Sequence, residues 1–457
     1  MYRELHSLRQ ALHHELESTL PPLPGVEPHK LLQTYLDQLT LYVGVDVADQ
    51  TVTLLALNAN KEVLGYLLDC PNTPKGHAQI GDWLERLRAQ HHLRIIAVAC
   101  ETTSVFYWGV WDYLATCPNV ARIFFNPRTT EHMGEVLSKR VRNELVDALL
   151  LAEQLRLGST PEVLLTDDAD LLTARLCSRA ARDLAQQINR KKNQLRSLVR
   201  GYNPVLLQVF RGGKFHHPAV YALLECYLFP DEYVTAGVGL LTQLLIEHSR
   251  SAFGREHAQA LVDQCRECLS RPIGRTIVHQ RVNHLTTEIL LARTHQKDML
   301  QKGYALIRHR PEAQLLKAST GAGISNTLAL VTAVGDIRRF PDGERVASFL
   351  GLTTSKHISG ATLYQSKHIT KQGSPNGRYA AVNLALHLSQ RVPKYRAMYQ
   401  AIKSRRPPRK SHFVALVAIA RDWVTNVLYD MWRYQRPFFV EVEDYRQYRR
   451  EHPRTET

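Results

Sequence analysis

Three short apolar runs, each the length of a strand, follow one another near the start of this chain, at residues 41–48, 51–57 and 63–68. A helical pattern at 74–90 comes next. It is followed by a strand at 93–99, a helix at 105–115 and a strand at 121–125. Helices that alternate with strands cover the faces of a sheet. The order therefore predicts an α/β domain over residues 41–160.

Four acidic residues stand in order in this domain. A lone carboxylate is costly inside an apolar run such as that of Asp46, whereas carboxylates often end strands or cap helices, so each of the four taken alone would be unremarkable. Asp46 lies inside the first apolar run and Glu101 closes the run at 95–101. Glu144 and Asp147 are three residues apart and share one helical face. Carboxylate oxygens are the ligands that Mg²⁺ prefers, and a pair of such ions assists phosphodiester cleavage. Because the strand order is that of the ribonuclease H fold, the four residues predict a nuclease-like metal site.

The charge of the chain favours polyanionic partners. Its 58 Lys and Arg against 43 Asp and Glu give a formal net charge of +15, which is typical of nucleic-acid-binding proteins. No apolar stretch reaches the roughly 20 residues of a membrane span, and the first residues lack a signal-peptide core. We therefore expect a cytoplasmic protein, nucleoid-associated when active, with no membrane partner. Seven irregularly spaced cysteines, including an isolated Cys265-Arg-Glu-Cys268, predict neither a disulfide framework nor a structural zinc site.

The chain is predicted to contain five segments. Residues 1–40 combine a helical pattern with a Pro-rich break and form an N-terminal extension, and residues 41–160 form the α/β domain. Residues 161–310 are predicted as a helical, coiled-coil-like region with a turn-rich insertion. Residues 311–437 are predicted as a mostly α domain and residues 438–457 as a polar tail.

An apolar stripe runs along the first long helix of the middle region at spacings of four or seven residues. It consists of Leu172, Leu176, Ala180, Leu184, Ile188, Leu195 and Val199. The helical pattern at 277–300 is expected to return as its antiparallel mate, and coiled-coil dimerisation is compatible with the stripe. Beside the stripe lies a basic row, Arg190, Lys191, Lys192, Arg196 and Arg200. This row either follows phosphates or remains solvated, and the sequence leaves both open.

A second basic region lies between residues 366 and 410 and contains no Asp or Glu. Its eleven basic residues are Lys367, Lys371, Arg378, Arg391, Lys394, Arg396, Lys403, Arg405, Arg406, Arg409 and Lys410. Tyr379, Tyr395 and Tyr399 are interleaved with them, as in surfaces that follow a phosphate backbone. Upstream, Gly321-Ala-Gly323 lies between two helical patterns and resembles a helix-hairpin-helix turn, whose N–H groups hold phosphates.

Several short motifs, taken in order, resemble one family. The first half contains Gly44-Val-Asp46-Val-Ala, Ala99-Cys-Glu101 and Glu144-Leu-Val-Asp147-Ala-Leu-Leu-Leu-Ala152. The second half contains Gly321-Ala-Gly323, Thr332-Ala-Val-Gly-Asp-Ile-Arg-Arg-Phe340, Ala347-Ser-Phe-Leu-Gly-Leu352, Ser359-Gly360 and Ile369-Thr-Lys-Gln-Gly373. Over roughly residues 41–435 the chain resembles the DEDD transposases of the insertion-sequence family numbered one hundred and ten, which include bridge-RNA-guided recombinases and resemble Piv DNA invertases.

The resemblance implies a RuvC-like nuclease domain, a coiled-coil connection and a helical transposase domain that carries a nucleophilic serine. The implied ligands of two Mg²⁺ ions are Asp46, Glu101, Glu144 and Asp147. Where the family usually has Asp-x-x-Asp, this chain has Glu144-x-x-Asp147; the extra methylene keeps the charge and moves the carboxylate by about one bond length. The implied serine is Ser359. The family's neighbouring Ile-Ser-Lys motif is here Ile369-Thr370-Lys371, so Thr370 and Ser366 are the alternatives.

These implications favour a recombinase that moves an insertion sequence by cutting and rejoining DNA. The expected partners are donor DNA, target DNA, a non-coding bridge RNA and further copies of the chain, a dimer or tetramer with composite active sites. The expected nucleic-acid contacts are Arg190, Lys191, Lys192, Lys367, Lys371, Arg378, Arg405, Arg406, Arg409 and Lys410. The alternatives are a RuvC-like nuclease that hydrolyses junctions with water and a DNA-binding accessory protein with a degenerate metal site. An actin-like ATPase is disfavoured because residues 41–300 contain no second glycine-rich phosphate loop.

Overall fold

A computed structural model describes residues 3–17, 35–102, 106–136, 143–158, 168–270, 273–320, 322–359, 362–405 and 408–438. The chain divides into two compact units, Met1–Leu165 and Thr166–Thr457. No helix in the described ranges combines the length and the apolar character that crossing a membrane requires. Of the predicted polar tail, residues 438–457, only Phe438 is among the described residues.

The first unit is an α/β domain. Its elements are α1 (Arg3–Glu17), β1 (Thr40–Val47), β2 (Thr51–Leu57), β3 (Val63–Pro71), α2 (Pro74–Gln90), β4 (Ile95–Glu101), α3 (Trp108–Thr116), β5 (Val120–Phe125), α4 (Pro127–Val136) and α5 (Glu144–Leu157). The sheet order is β3-β2-β1-β4-β5. The first three strands are antiparallel neighbours, while β4 pairs in parallel with both β1 and β5. This confirms the predicted arrangement of three consecutive strands followed by alternating helices and strands.

Strand β1 is central and covered on both faces because its side chains alternate. Leu41, Val43 and Val45 share a core with α2 and α3. Tyr42 belongs to the opposite core, which α1 and α5 complete. Although a Pro-rich break separates α1 from the sheet in sequence, its Leu5 is buried in that second core. Each buried aliphatic side chain contributes about 1.5–3 kcal/mol, so α1 stabilises the sheet.

The second unit is mostly helical. It contains α6 (Ala169–Tyr202), α7 (Val205–Val209), α8 (Pro218–Cys226), α9 (Pro230–Ser249), α10 (Arg255–Arg266), α11 (Arg275–Ile307), α12 (Pro311–Thr320), α13 (Ile324–Val334), α14 (Gly343–Phe349), β6 (Thr354–Ser359), β7 (Thr362–Ile369), α15 (Pro375–Arg391), α16 (Pro393–Ser404), α17 (Pro408–Trp423) and α18 (Tyr429–Arg433). Short 3₁₀ segments lie at Gly212–His216 and Ile337–Arg339.

Helix α6 runs antiparallel to α11, as the sequence predicted. Lys191 bonds to Glu288 at 2.7 Å, and Gln296, further along α11, donates to the carbonyl of Ala181, which lies earlier on α6. The predicted stripe is correct at Ile188, Leu195 and Val199 but wrong in its first half, where Leu176 is 59 % exposed. The buried residues there are Leu171, Ala174, Ser178 and Ala181. Residues spaced by four each time drift around the helix, because one turn contains 3.6 residues. Residues spaced alternately by three and four stay on one side of it.

Helices α12 to α18, with the first turns of α6 and the end of α11, form a core around Trp423 and Trp432, and β6 and β7 form a separate two-stranded hairpin. Gly351 (φ 69°) and Gly373 (φ 94°) lie at the base of the hairpin in backbone conformations that favour glycine. A Cβ on Gly373 would come within 1.8 Å of the Phe349 carbonyl oxygen. The predicted helix-hairpin-helix turn stays a prediction. Helices α12 and α13 flank it, but Gly321 lies outside the described residues.

Candidate functional site

The alternation of strand residues gathers the acidic side chains on the face of the sheet that α5 covers. In the parallel register Val45 pairs with Cys100, so Asp46 and Glu101 lie next to each other at the ends of adjacent strands. Asp46 points to the same face of β1 as Tyr42, and Glu101 points to the same face of β4 as Ala99; this is the face that packs against α5. Glu144 and Asp147 occupy the first turn of α5. Residues separated by up to 101 positions in sequence therefore meet at one edge of the first unit.

Two local features fix the position of α5. The side chain of Asn143 accepts a 2.8 Å hydrogen bond from the N–H of Val146 and caps the helix, which sets where its first turn begins. Gly44 lets the helix lie directly on β1, because a Cβ there would come within 1.8 Å of the Ala148 carbonyl oxygen. The positive end of the α5 dipole also favours carboxylates and bound anions in this first turn.

Three of the carboxylates act on the fourth, Asp46. Burial, followed by the negative charges of Asp147, Glu144 and Glu101, raises the pKa of Asp46 from 3.8 to about 6. Thr53, which pairs with Asp46 across β1 and β2, donates a 2.9 Å hydrogen bond to Oε2 of Glu144. Sequence reasoning missed Thr53, because the register that pairs it with Asp46 is seen only in the folded sheet.

The donor set fits a hard divalent cation. Oxygen-donating side chains with like charges are stabilised when a cation lies between them, and the charge of Glu144 acts on Asp46 despite its extra methylene. Within the ranges that the structure describes, no three His, Cys, Asp or Glu side chains converge at distances suited to one ion. The carboxylates are thus close enough to repel one another without forming a closed coordination shell.

The predicted serine lies in the second unit. Ser359 is the last residue of β6, and its Cα pairs with Thr362 of β7, so it stands next to the tip of the hairpin. Its side chain and those of Ser366 and Lys367 lie outside the described residues. Thr370, the other alternative, is at the base of the hairpin, where its N–H donates to the Thr353 carbonyl at 2.8 Å.

The residues of the predicted basic row on α6 differ in their exposure and in their contacts. Arg190 is exposed. Lys191 is ion-paired with Glu288 at 2.7 Å. Lys192 is half-buried, and burial followed by the charges of Arg293 and Arg196 lowers its pKa. The row is therefore not a uniform solvated stripe.

The basic residues between 366 and 410 also differ in their exposure and in their contacts. Lys371 and Arg405 are exposed, while Arg378 is half-buried. Lys394 is neutralised by Asp422 at 2.7 Å. The prediction that Tyr379, Tyr395 and Tyr399 belong to a surface that follows phosphates was partly wrong. Tyr395 is 1 % exposed in the core, although Tyr379 is 61 % exposed. Arg406 and the side chains of Arg409 and Lys410 lie outside the described residues.

Two family models match the chain. Residues 43–204 match the model of the IS110-type DEDD transposase domain, and residues 313–400 match the "Transposase IS116/IS110/IS902 family" model. The first match contains Asp46, Glu101, Glu144 and Asp147, and the second contains the β6–β7 hairpin with Ser359.

Two relatives are similar over part of their length. The "Insertion element IS110 uncharacterized 43.6 kDa protein" of Streptomyces coelicolor is 27 % identical over 255 residues, which is 55 % of this chain and 60 % of the relative. The "Pilin gene-inverting protein" of Moraxella bovis is 29 % identical over 138 residues, or 30 % of this chain and 41 % of the relative. The chain thus spans less than two thirds of either relative. Its two matched domains, in this order, place it in the IS110 family of DEDD transposases.

Proposed function

We propose that this protein cuts and rejoins DNA strands to move an insertion sequence. The observation that carries the proposal is that Asp46, Glu101, Glu144 and Asp147 lie at one edge of a ribonuclease H-type sheet, where the charges of the other three act on Asp46. A site with this net negative charge cannot hold a phosphate by itself, so cations must accompany the substrate. Membership of a transposase family supplies the reaction class.

The four carboxylates would hold Mg²⁺, and we propose two ions. Bound there, the metal would neutralise the phosphate oxygens and stabilise the leaving alkoxide. The protein's own contribution is positional. Gly44 allows α5 to approach β1, and Thr53 holds the Glu144 carboxylate by its hydroxyl. Hydrogen bonds to metal-binding carboxylates from such outer residues typically change affinity or activity by 10–100-fold.

Ser359 is proposed as the nucleophile. Its Oγ forms a bond to phosphorus while the bond from phosphorus to the leaving DNA oxygen breaks, and the serine proton balances the alkoxide that leaves. The phosphoserine ester keeps the energy of the broken bond, so the hydroxyl of a second strand reverses the step and reseals DNA without ATP. Water as nucleophile would instead leave free ends.

The carboxylates belong to the first unit and Ser359 to the second. We propose that a composite site unites them, with the carboxylates of one copy serving the serine of another. Dimers or tetramers would then be the active species. Donor and target DNA are the proposed substrates, and a non-coding bridge RNA is the proposed guide.

The experiment is a strand-transfer assay with Mg²⁺ that also detects covalent protein–DNA adducts. Ser359→Ala should abolish the adduct and the rejoined product while DNA binding persists, and Asp46→Asn should abolish both products as well. Ser355→Ala, in the same strand, is the matched control. An adduct that survives in Ser359→Ala would refute the serine assignment. Free 5′-phosphate ends in place of rejoined strands would favour a hydrolysing nuclease.

Mixing two inactive variants tests the composite site. If Asp46→Asn supplies the serine and Ser359→Ala supplies the carboxylates, a mixture of the two should recover part of the activity that each lacks alone. Failure of the mixture to recover activity, when both variants still assemble with wild type, would assign both groups to one copy.

A further inference from the structure

Five arginines from three parts of the second unit form a row of neighbours. Arg175, Arg179 and Arg182 are spaced by four and three residues on α6 and therefore share one helical face. Arg339, in the 3₁₀ segment, continues the row beyond Arg175, and Arg378 of α15 continues it beyond Arg182. We call these five residues the arginine row.

Neutral groups fix one end of the row. Arg175 donates from Nε to the carbonyl of Thr332 at 2.9 Å. The guanidinium of Arg339 lies 4.5 Å from the ring centres of both Phe340 and Phe349. Its Nε is buried and has no hydrogen-bond partner among the described residues. Stacking on rings holds a guanidinium in place while leaving its charge uncompensated.

The other end is fixed at the base of the hairpin. Arg378 donates from Nη1 to the carbonyls of Leu350 and Lys371, both at 3.1 Å. Arg182 donates to Oδ1 of Asn376 at 2.6 Å. Because Leu350 and Lys371 flank the β6–β7 hairpin, the row ends where the strand that carries Ser359 leaves the helical core.

Carboxylates among the described residues leave most of the row's charge unpaired. In the part of the chain that the structure describes, none of the five forms an ion pair with a carboxylate. The charge of Asp336 acts on Arg339, but the carboxylate oxygens of Asp336 bond to Arg338 at 2.9 and 3.0 Å. Asp183 lies one turn beyond Arg179 without pairing with it. Burial followed by the charge of Arg175 lowers the pKa of Arg339 to about 10, so the charges are held together at a cost.

We propose that the arginine row binds successive backbone phosphates of a nucleic-acid strand and leads it to the β6–β7 hairpin. Guanidinium groups match phosphate oxygens with two parallel hydrogen bonds, and pre-fixed side chains lose little entropy on binding. The proposal rests on the proposed function for the kind of partner, because a recombinase must hold the strand beside its nucleophile. The site itself needs only a phosphodiester backbone.

The test measures how the binding affinity of the full-length protein depends on salt. Fluorescently labelled DNA and RNA oligonucleotides of one sequence serve as probes, with EDTA present so that no cleavage intervenes. Each lost phosphate contact should reduce the slope of log affinity against log salt by roughly 0.7 to 0.9. Arg179→Gln with Arg182→Gln should therefore reduce the slope by roughly 1.5. Arg421→Gln, which removes a cation already paired with Glu344, should leave the slope unchanged.

A second double variant separates charge from folding. Arg179→Lys with Arg182→Lys keeps both charges and should keep the slope, even if the lost forked hydrogen bonds weaken affinity. A slope that falls equally in the Lys and Gln variants would overturn the proposal, because it would report damage to the fold. A loss confined to DNA or to RNA would support the site and identify its strand.

The outcomes also separate this site from the wider function. A wild-type slope that the Gln variant leaves unchanged on both probes would overturn the arginine row alone. A wild-type protein with no salt dependence would overturn nucleic-acid binding and with it the recombinase proposal.

Discussion

The close contact between α5 and β1 at Gly44 predicts the effect of a single methyl group. In Gly44→Ala the new Cβ would stand 1.8 Å from the Ala148 carbonyl oxygen and 2.7 Å from the Ala152 nitrogen. Ordinary van der Waals contacts begin at 3.4 Å, which leaves 1.6 Å to be recovered. Both obstructing atoms belong to the backbone, so no rotamer change relieves the clash. Helix α5 must retreat from the sheet.

The loss of stability in Gly44→Ala follows from the burial of this region. Forcing extra atoms into a packed core typically costs 1–3 kcal/mol, and a backbone obstruction should lie near the upper end. For a unit of this size, about 3 kcal/mol corresponds to a fall in melting temperature of roughly 6–12 °C. The retreat also carries Glu144 and Asp147 away from Asp46. A misplacement of about 1 Å lowers rates by about 100-fold.

Thermal unfolding followed by circular dichroism and a strand-transfer assay measure the two effects. Gly65→Ala is the matched control, because it lies in the same sheet and its Cβ would meet only side-chain atoms at 3.4 Å or more. A second change, Ala148→Gly, should not rescue Gly44→Ala, since the clash involves a carbonyl oxygen that glycine retains. Wild-type stability and activity in Gly44→Ala, or full rescue by Ala148→Gly, would refute the packing argument.

Three further predictions concern the same sites. Because the pKa of Asp46 is raised from 3.8 to about 6, the folded state binds the Asp46 proton more tightly than the unfolded state does. The free energy of unfolding of the metal-free protein should therefore fall as the pH rises from about 4 to about 6. Asp46→Asn should recover up to roughly 3 kcal/mol at about pH 8 and little at about pH 4, as urea titrations in EDTA would measure. Thr53→Val should lower the Mg²⁺-dependent rate by about 10-fold at low Mg²⁺ with a smaller loss at saturation, and a loss independent of Mg²⁺ would contradict its role in holding Glu144. Gly373→Ala, with φ 94° and a carbonyl oxygen 1.8 Å from the new Cβ, should lower the melting temperature and abolish adduct formation, whereas an unchanged adduct would show that the hairpin base tolerates rearrangement.

The sheet could be predicted because its pattern is local. Strands β1 and β2 show continuous apolar runs, and a strand places alternate residues on opposite faces. Parity alone therefore assigns Gly44 and Asp46 to one face. The pairing of Val45 with Cys100, which brings Glu101 beside Asp46, is a register that only the folded sheet provides.

The face that α6 buries could not be fixed by counting apolar residues. Leu172 and Leu176 fit a stripe with steps of four, yet the helix buries Ala174 and Ser178, which are small and partly polar. Small residues are favoured where another helix comes close. Gly303 of α11 is such a contact, because a Cβ there would lie 2.8 Å from Cβ of Cys177. Proximity of the partner helix, rather than hydrophobicity, decides the register.

The sequence also could not show which basic residues of α6 are neutralised by an ion pair. Lys191 and Arg179 carry equal charge in the sequence, but Lys191 meets Glu288, 97 residues further along the chain, whereas Arg179 lies near Arg175. Only an unpaired cation can release counterions when a phosphate replaces them. The proposed arginine row therefore places the nucleic-acid contact in the first half of α6, whereas the sequence predicted it in the most basic stretch. Neutralising Lys191 should accordingly change the salt dependence of binding less than neutralising Arg179, and the reverse order would return the contact to the basic stretch.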